Sequence, residues 1–142
     1  MAIRNLDQRD IPEAAEVLKA AYAQEPWNEQ WSDERAQKRV RSILSNDSAI
    51  GLCAVQNGRI CGCALGFVDP YAREDFFFLS ELFVMPEYRR QGIGSALVGQ
   101  LEMLLREKGI AVVQLMSIAD NLDFYRRNGL EQDSVSVLFK RL

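Results

Sequence analysis

Leu82-Phe83-Val84-Met85-Pro86-Glu87-Tyr88-Arg89-Arg90-Gln91-Gly92-Ile93-Gly94-Ser95-Ala96-Leu97 runs from an apolar stretch through a proline and a basic loop to two glycines and the start of an amphipathic segment. The apolar stretch belongs to a longer run, Phe76 to Met85, broken by Ser80 and Glu81. It reads as a long strand that Pro86 ends. Beyond the glycines, Ile93, Leu97, Leu101, Leu104 and Leu105 recur at helical spacing, so Gly92 to Lys108 reads as a helix with Gly109 at its stop. Ile110 to Ser117 is a further apolar run. Strand, helix and strand from Phe76 to Ser117 therefore form a βαβ unit with parallel strands.

Working outward, Asn57-Gly58 separates two strand-like runs, Ala49 to Gln56 and Arg59 to Val68. Such a pair is a strong hairpin signal, because both turn residues need positive φ. Asp69 to Asp75 reads as a loop. On the N-terminal side, Ala2 to Leu6 reads as a first strand. Asp10 is placed to cap a helix with Pro12 in its first turn and Ile11, Ala14, Ala15, Leu18, Ala21 and Tyr22 on one side. Pro26 is expected to stop it. Ser32 suits the N-cap of a second helix, with Ala36, Val40, Ile43 and Leu44 on one side. On the C-terminal side, Asp120 or Asn121 is expected to cap a short helix ending near Gly129, and Val135 to Lys140 reads as a last strand. The order β-α-α-β-β-β-α-β-α-β implies a mixed α/β sheet with helices on both faces.

The 142 residues fit one domain, 1–142, and are enough to bury a core without disulfides or metal. Composition is that of a globular protein, 48% hydrophobic and 26% charged. No stretch approaches a membrane span, and the N-terminus lacks a signal-peptide core, so a cytoplasmic location is expected. A net charge of −3 argues against nucleic acid as the main partner. There is no histidine, which removes every Ser-His and Cys-His nucleophile scheme. Cys53, Cys61 and Cys63 form no CxxC pair and read as small buried strand residues; no metal site is expected.

The glycines at the helix start carry the chemistry. They let a ligand approach the backbone. The first helical turn adds free N–H groups and the positive end of the dipole. A phosphate or pyrophosphate fits there, and Arg89 and Arg90 add charge. The Walker ending Gly-Lys-Ser/Thr is absent, and position 97 is Leu where the dinucleotide pattern needs a third glycine. By spacing alone, a structural strand-to-helix turn is as good a reading.

Arg89-x-x-Gly92-x-Gly94 resembles the Q/R-x-x-G-x-G/A signature of the GNAT superfamily of N-acetyltransferases. Asn121-Leu122-Asp123-Phe124-Tyr125-Arg126-Arg127-Asn128-Gly129-Leu130 is similar to that superfamily's N-x-x-x-x-F/Y-x-x-x-G-F ending. The order of elements fits as well. The resemblance implies a mostly antiparallel sheet of six to seven strands around a central βαβ unit that binds acetyl-CoA. It implies transfer of the acetyl group to an amine, that of a small molecule, by direct attack in a ternary complex. The alternatives are a peptide or protein acceptor, or a non-catalytic acyl-CoA sensor.

It also implies roles by position. Backbone groups of Arg89, Arg90, Gln91, Gly92, Ile93, Gly94 and Ser95 would hold the coenzyme pyrophosphate. Phe83 and Val84 would pair with the pantetheine arm like an added strand, where this strand and the one near Leu115 to Ser117 splay apart. Asn121 would contact the pantetheine region. Val84 N–H would be the oxyanion donor. Tyr125 would be the acid for the departing thiolate, unless it is a core aromatic. Glu81, ionisable within an apolar strand, is the candidate base. It could instead pair with an arginine, leaving Ser80 or a water chain to serve in place of a dedicated carboxylate base. Ser80 and Glu81 should face opposite sides unless a β-bulge reorients one. The family's acceptor pocket would lie at Tyr22 to Trp31 and Asp69 to Phe77. There Trp27 and Trp31, with Glu25 and Glu29, could surround an ammonium, or a tryptophan could simply pack the helices. Pairing of last strands, common in similar proteins, would give a homodimer.

Overall fold

The computed structural model describes residues 1–142. Strand β1 (Ala2–Asn5) is followed by helices α1 (Ile11–Tyr22) and α2 (Asp33–Leu44). Strands β2 (Ala49–Gln56), β3 (Arg59–Pro70) and β4 (Asp75–Val84) come next, then α3 (Ile93–Glu107), β5 (Val112–Gln114) and α4 (Leu122–Arg127). The sheet has five strands in the order β1-β2-β3-β4-β5. Its first four strands pair antiparallel, and β4 and β5 are parallel, closing the expected βαβ unit.

Alternation along the strands sends side chains to two cores. On one face Cys53, Cys63, Leu65 and Phe83 meet Leu18, Val17, Ala36 and Val40 of α1 and α2. On the other, Leu52, Ala64, Phe77 and Leu79 meet Ile93, Leu97, Leu101 and Leu105 of α3. Each large apolar chain so buried stabilises by about 1.5–3 kcal/mol. No helix is long and apolar enough to cross a membrane.

Local signals hold where they are backbone-driven. Asn57 and Gly58 both have positive φ, 53° and 74°, and close the β2–β3 hairpin. Ser32 Oγ accepts from Arg35 N–H at 3.1 Å and caps α2. Gly109, at φ 75°, follows α3. Asp10 does not cap α1. Its carboxylate accepts from Asp7 N–H at 2.8 Å and is bound by Arg4, which holds it below the usual carboxylate range. Nor does Pro26 end α1, which stops at Tyr22; neither Asp120 nor Asn121 makes a side-chain cap on α4.

Two expectations about the sheet are corrected. The loop at 69–75 is shorter, because β3 runs on to Pro70 and β4 begins at Asp75. The sheet has five strands, not six or seven, since Val135 to Lys140 forms none and the strand expected at Ile110 to Ser117 is only three residues long. Apolar alternation predicts a face to bury, but a strand also needs an edge to pair with. The chain brings no strand to the outer edge of β5, and Leu138 and Phe139 stand 92% and 84% exposed.

Candidate active site

Strand β4 pairs with β5 only at Phe76–Val112, Phe77–Val113 and Phe78–Gln114. From Leu79 to Val84 it keeps β3 on one side and no strand on the other. The two strands part where β5 ends. Met85 N–H donates to Cys61 C=O of β3 at 2.8 Å. Successive N–H groups of an extended chain point to opposite sides, so Val84 N–H points into the gap. Phe83 presents its backbone to β3 and its ring to the α1–α2 core, so it backs the gap from behind.

The strand leads through a short turn, Pro86–Tyr88, into the basic loop. Arg90 (φ 61°) and Gly92 (φ 79°) are left-handed. The first bond of α3 is Ala96 N–H to Gly92 C=O, 2.9 Å, which leaves the N–H groups of Ile93, Gly94 and Ser95 without helical partners. A Cβ on Gly92 would meet nothing within 4 Å, so the space in front of the turn is open. Free donors, a dipole end and open space fit an anion. Arg90, Gln91 and Ser95 are exposed there, whereas the Ile93 side chain is buried and offers only backbone.

The two motifs meet in space. A Cβ on Gly94 would lie 3.1 Å from Phe124 Cζ, so α4 packs directly on the second glycine. Asn128 Nδ2 donates to Ser95 Oγ at 3.2 Å. Half-buried Asn121 and Tyr125 occupy the near end of α4, and the rings of Phe124 and Tyr125 stand edge to face at 5.1 Å.

Glu81 sits at a β-bulge. Leu65 opposes Glu81 and Gly66 opposes Leu79, leaving Ser80 as the extra residue. Gly66 is required there, since its Cβ would fall 2.0 Å from Phe78 C=O. The Glu81 carboxylate is only 11% exposed. Tyr22 O–H donates to one oxygen and Arg39 Nε donates to the other at 2.9 Å. Burial, and then the charge of Glu81, push the Tyr22 phenol well above its ordinary value. The same two causes in the same order push the Tyr125 phenol up to about 12. Glu81, Tyr22 and Tyr125 thus share one electrostatic site.

Sequence reasoning singled out neither Arg39 nor the Tyr22 hydroxyl. They reach Glu81 from 42 and 59 residues away, and no local pattern marks them. The acceptor candidates divide. Trp27 stands edge-on to Tyr22 at 5.1 Å, with the Arg89 guanidinium 5.7 Å from its ring centre. Trp31 packs on the α1–α2 core and donates to Glu29 at 3.1 Å. Glu25 is exposed. The three cysteines are buried free thiols, and burial pushes that of Cys63 well up, which leaves it unreactive. A cavity of about 720 Å³ runs along β5 and α4 to residues 131–137; it takes in Tyr125 but neither Glu81 nor the glycine turn.

A family model for the acetyltransferase (GNAT) family matches residues 11–130. Among solved structures, a transcriptional regulator from Bacillus halodurans C-125 superposes with a TM-score of 0.79 at 20% identity, covering 99% of both chains. An aminoglycoside acetyltransferase, meta-AAC0020, from an uncultured soil metagenomic sample in complex with sisomicin gives 0.76 at 21% identity, over 99% of this chain and 95% of that one. Aminoglycoside N-acetyltransferase AAC(6')-Iy in complex with CoA gives 0.77 at 18% identity, over 99% and 93%. At such identities the superpositions speak for the fold.

Proposed function

The chain belongs to the acetyltransferase (GNAT) family, and on that premise we propose that it moves an acetyl group from acetyl-CoA to the amine of a small molecule, by direct attack with both substrates bound. The observation that carries this is the open edge of β4 from Leu79 to Val84, which leads through the Pro86–Tyr88 turn to the left-handed turn at Gly92. One ligand can pair with the edge as a strand does and rest its phosphates on the turn.

Acetyl-CoA would bring the thioester. Backbone N–H groups of the Arg89–Ser95 loop hold its pyrophosphate, with the Val84 edge and Asn121 along the arm. Val84 N–H faces the carbonyl oxygen as negative charge develops there. Tyr125 gives its proton to the departing sulfur and is restored by the second proton that the nitrogen sheds after attack; its raised pKa keeps the phenol protonated throughout the neutral range. Glu81 draws in the acceptor ammonium and takes its proton. The second lone pair on each oxygen remains for this after Tyr22 and Arg39 are satisfied. Trp27 walls the acceptor side. Buried free thiols suit a reducing compartment such as the cytoplasm.

Acetyl-CoA should raise the melting temperature where ATP and NAD do not, and a thiol-release screen of polyamines, aminoglycosides, amino acids and peptide N-termini should find an acceptor. Equal stabilisation by all three nucleotides sinks the donor site. Silence against every amine sinks the transfer. The reading includes a second copy of the chain. The exposed run Val135, Val137, Leu138 and Phe139 has no partner, and neither has the outer edge of β5 beside the Tyr125 cavity. Light scattering should find a homodimer that becomes monomeric when the chain is cut after Ser134; a monomeric intact chain rules the pairing out.

A further inference from the structure

A basic residue next to a phosphate turn is expected to add charge to it. The side chain of Arg89 is engaged elsewhere. Its Nη2 donates to Ala21 C=O at 2.9 Å, a half-buried bond across 68 residues of chain. Ala21 lies in the last turn of α1, where carbonyls lack helical partners and the dipole is negative. A guanidinium satisfies both at once. The same group sits over Trp27, which abuts Tyr22, which in turn donates to Glu81.

We propose that Arg89 is a positioning residue: its guanidinium caps the end of α1 and pins Trp27, holding the acceptor wall in register with the donor loop. This rests on the reading of that loop as the coenzyme site. Two faces of the reaction are then fastened by one side chain, and the loop backbone alone carries the phosphate. Arginine suits the task, because a planar fork can donate in its plane while its face lies on a ring; lysine offers only a point charge. The guanidinium thus has two recorded partners, the Ala21 carbonyl and the Trp27 ring.

The test compares the wild type with Arg89→Met and Arg89→Lys, using CoA as the probe. Fluorine NMR on fluorotryptophan-labelled protein reports Trp27 and Trp31 separately without altering either. Calorimetry gives CoA affinity at low and high salt. In Arg89→Met the Trp27 resonance should shift and broaden while Trp31 stays. CoA affinity should remain within about threefold of wild type with the same salt dependence, since no charge-assisted bond to phosphate is lost. Lysine should restore the Trp27 signal in part. With an amine acceptor in hand, KM for that amine should rise about tenfold or more with a smaller change in kcat. A tenfold or greater loss of CoA affinity with a weaker salt dependence means that Arg89 serves the phosphate, and overturns the proposal. So does an unmoved Trp27 resonance. A wild type that binds no CoA removes the donor site instead, while the Trp27 signal still decides whether Arg89 pins the wall.

Discussion

Replacing Tyr125 with phenylalanine removes one oxygen from a half-buried ring and leaves its packing against Phe124 in place. No hydrogen bond figures among the influences on the phenol; burial and the charge of Glu81 act on it. The fold should therefore change by less than about 1 kcal/mol near neutral pH. Turnover should fall by about a hundredfold or more, the usual worth of a positioned acid, which is about 2.7 kcal/mol of barrier. Affinity for acetyl-CoA should move less than about twofold, because a step that matters only in the transition state leaves binding alone. Alkali supplies a second reading from the same variant. The folded phenol titrates near 12, above the ordinary value of 10.0. Its contribution to stability is therefore whole below about pH 10 and is lost as pH rises through about 12, to a limit of about 2.7 kcal/mol. Urea unfolding across that window should show the wild type losing ground on Tyr125→Phe. Stopped-flow thiol release and calorimetry give the kinetic half. Unchanged turnover refutes the acid role. A fall in affinity matching the fall in turnover makes the ring a packing element instead.

Gly92→Ala places a side chain where nothing obstructs it but φ is 79°, so it should cost about 1–2 kcal/mol of stability and abolish the thermal shift from acetyl-CoA. Gly66→Ala meets a carbonyl at 2.0 Å and should destabilise by about 3 kcal/mol or more in a urea melt, since β3 and β4 must move apart. Glu81→Gln should lower turnover by about a hundredfold with little change in CoA affinity, read by the same thiol assay. Arg39→Met should cost about 1–3 kcal/mol of stability, because it leaves one oxygen of a carboxylate only 11% exposed without its charged partner, and should raise KM for the acceptor as Glu81 loses its hold.

Features written into a few adjacent residues could be read before the fold was known. Asn57-Gly58 demands its own dihedrals, Ser32 supplies its own cap, and Gly92 with Gly94 ahead of an apolar stripe announces a strand-to-helix turn whatever the rest of the chain does. Relations between distant segments could not. Whether Glu81 meets a base's surroundings or an arginine depends on how α2 lies across β4, and both alternatives raised for it came down to the position of Arg39. Asp10 has the right type for a cap, but Arg4 and the Asp7 amide compete for the same carboxylate and win. The sequence marks Ser80 and Glu81 as the place for a bulge, but only the register with Leu65 and Gly66 shows that Ser80 is the extra residue. The alternation in Val135 to Lys140 is real; what it lacks is pairing, because the segment does not lie on the free outer edge of β5.

The parting of β4 and β5 after Phe78 leaves a wedge in the fold, with unpaired main-chain donors and acceptors along the β4 bank. A sheet so built is unfinished masonry, and the proposed coenzyme arm is the missing course. A ligand held at a hundred times its dissociation constant adds about 2.7 kcal/mol to such a structure. Proteases sample the opened state in proportion to that margin. The lifetime of the protein in a cell would then follow the supply of activated acetyl groups, so that the enzyme persists when its donor is plentiful and is cleared when it is scarce.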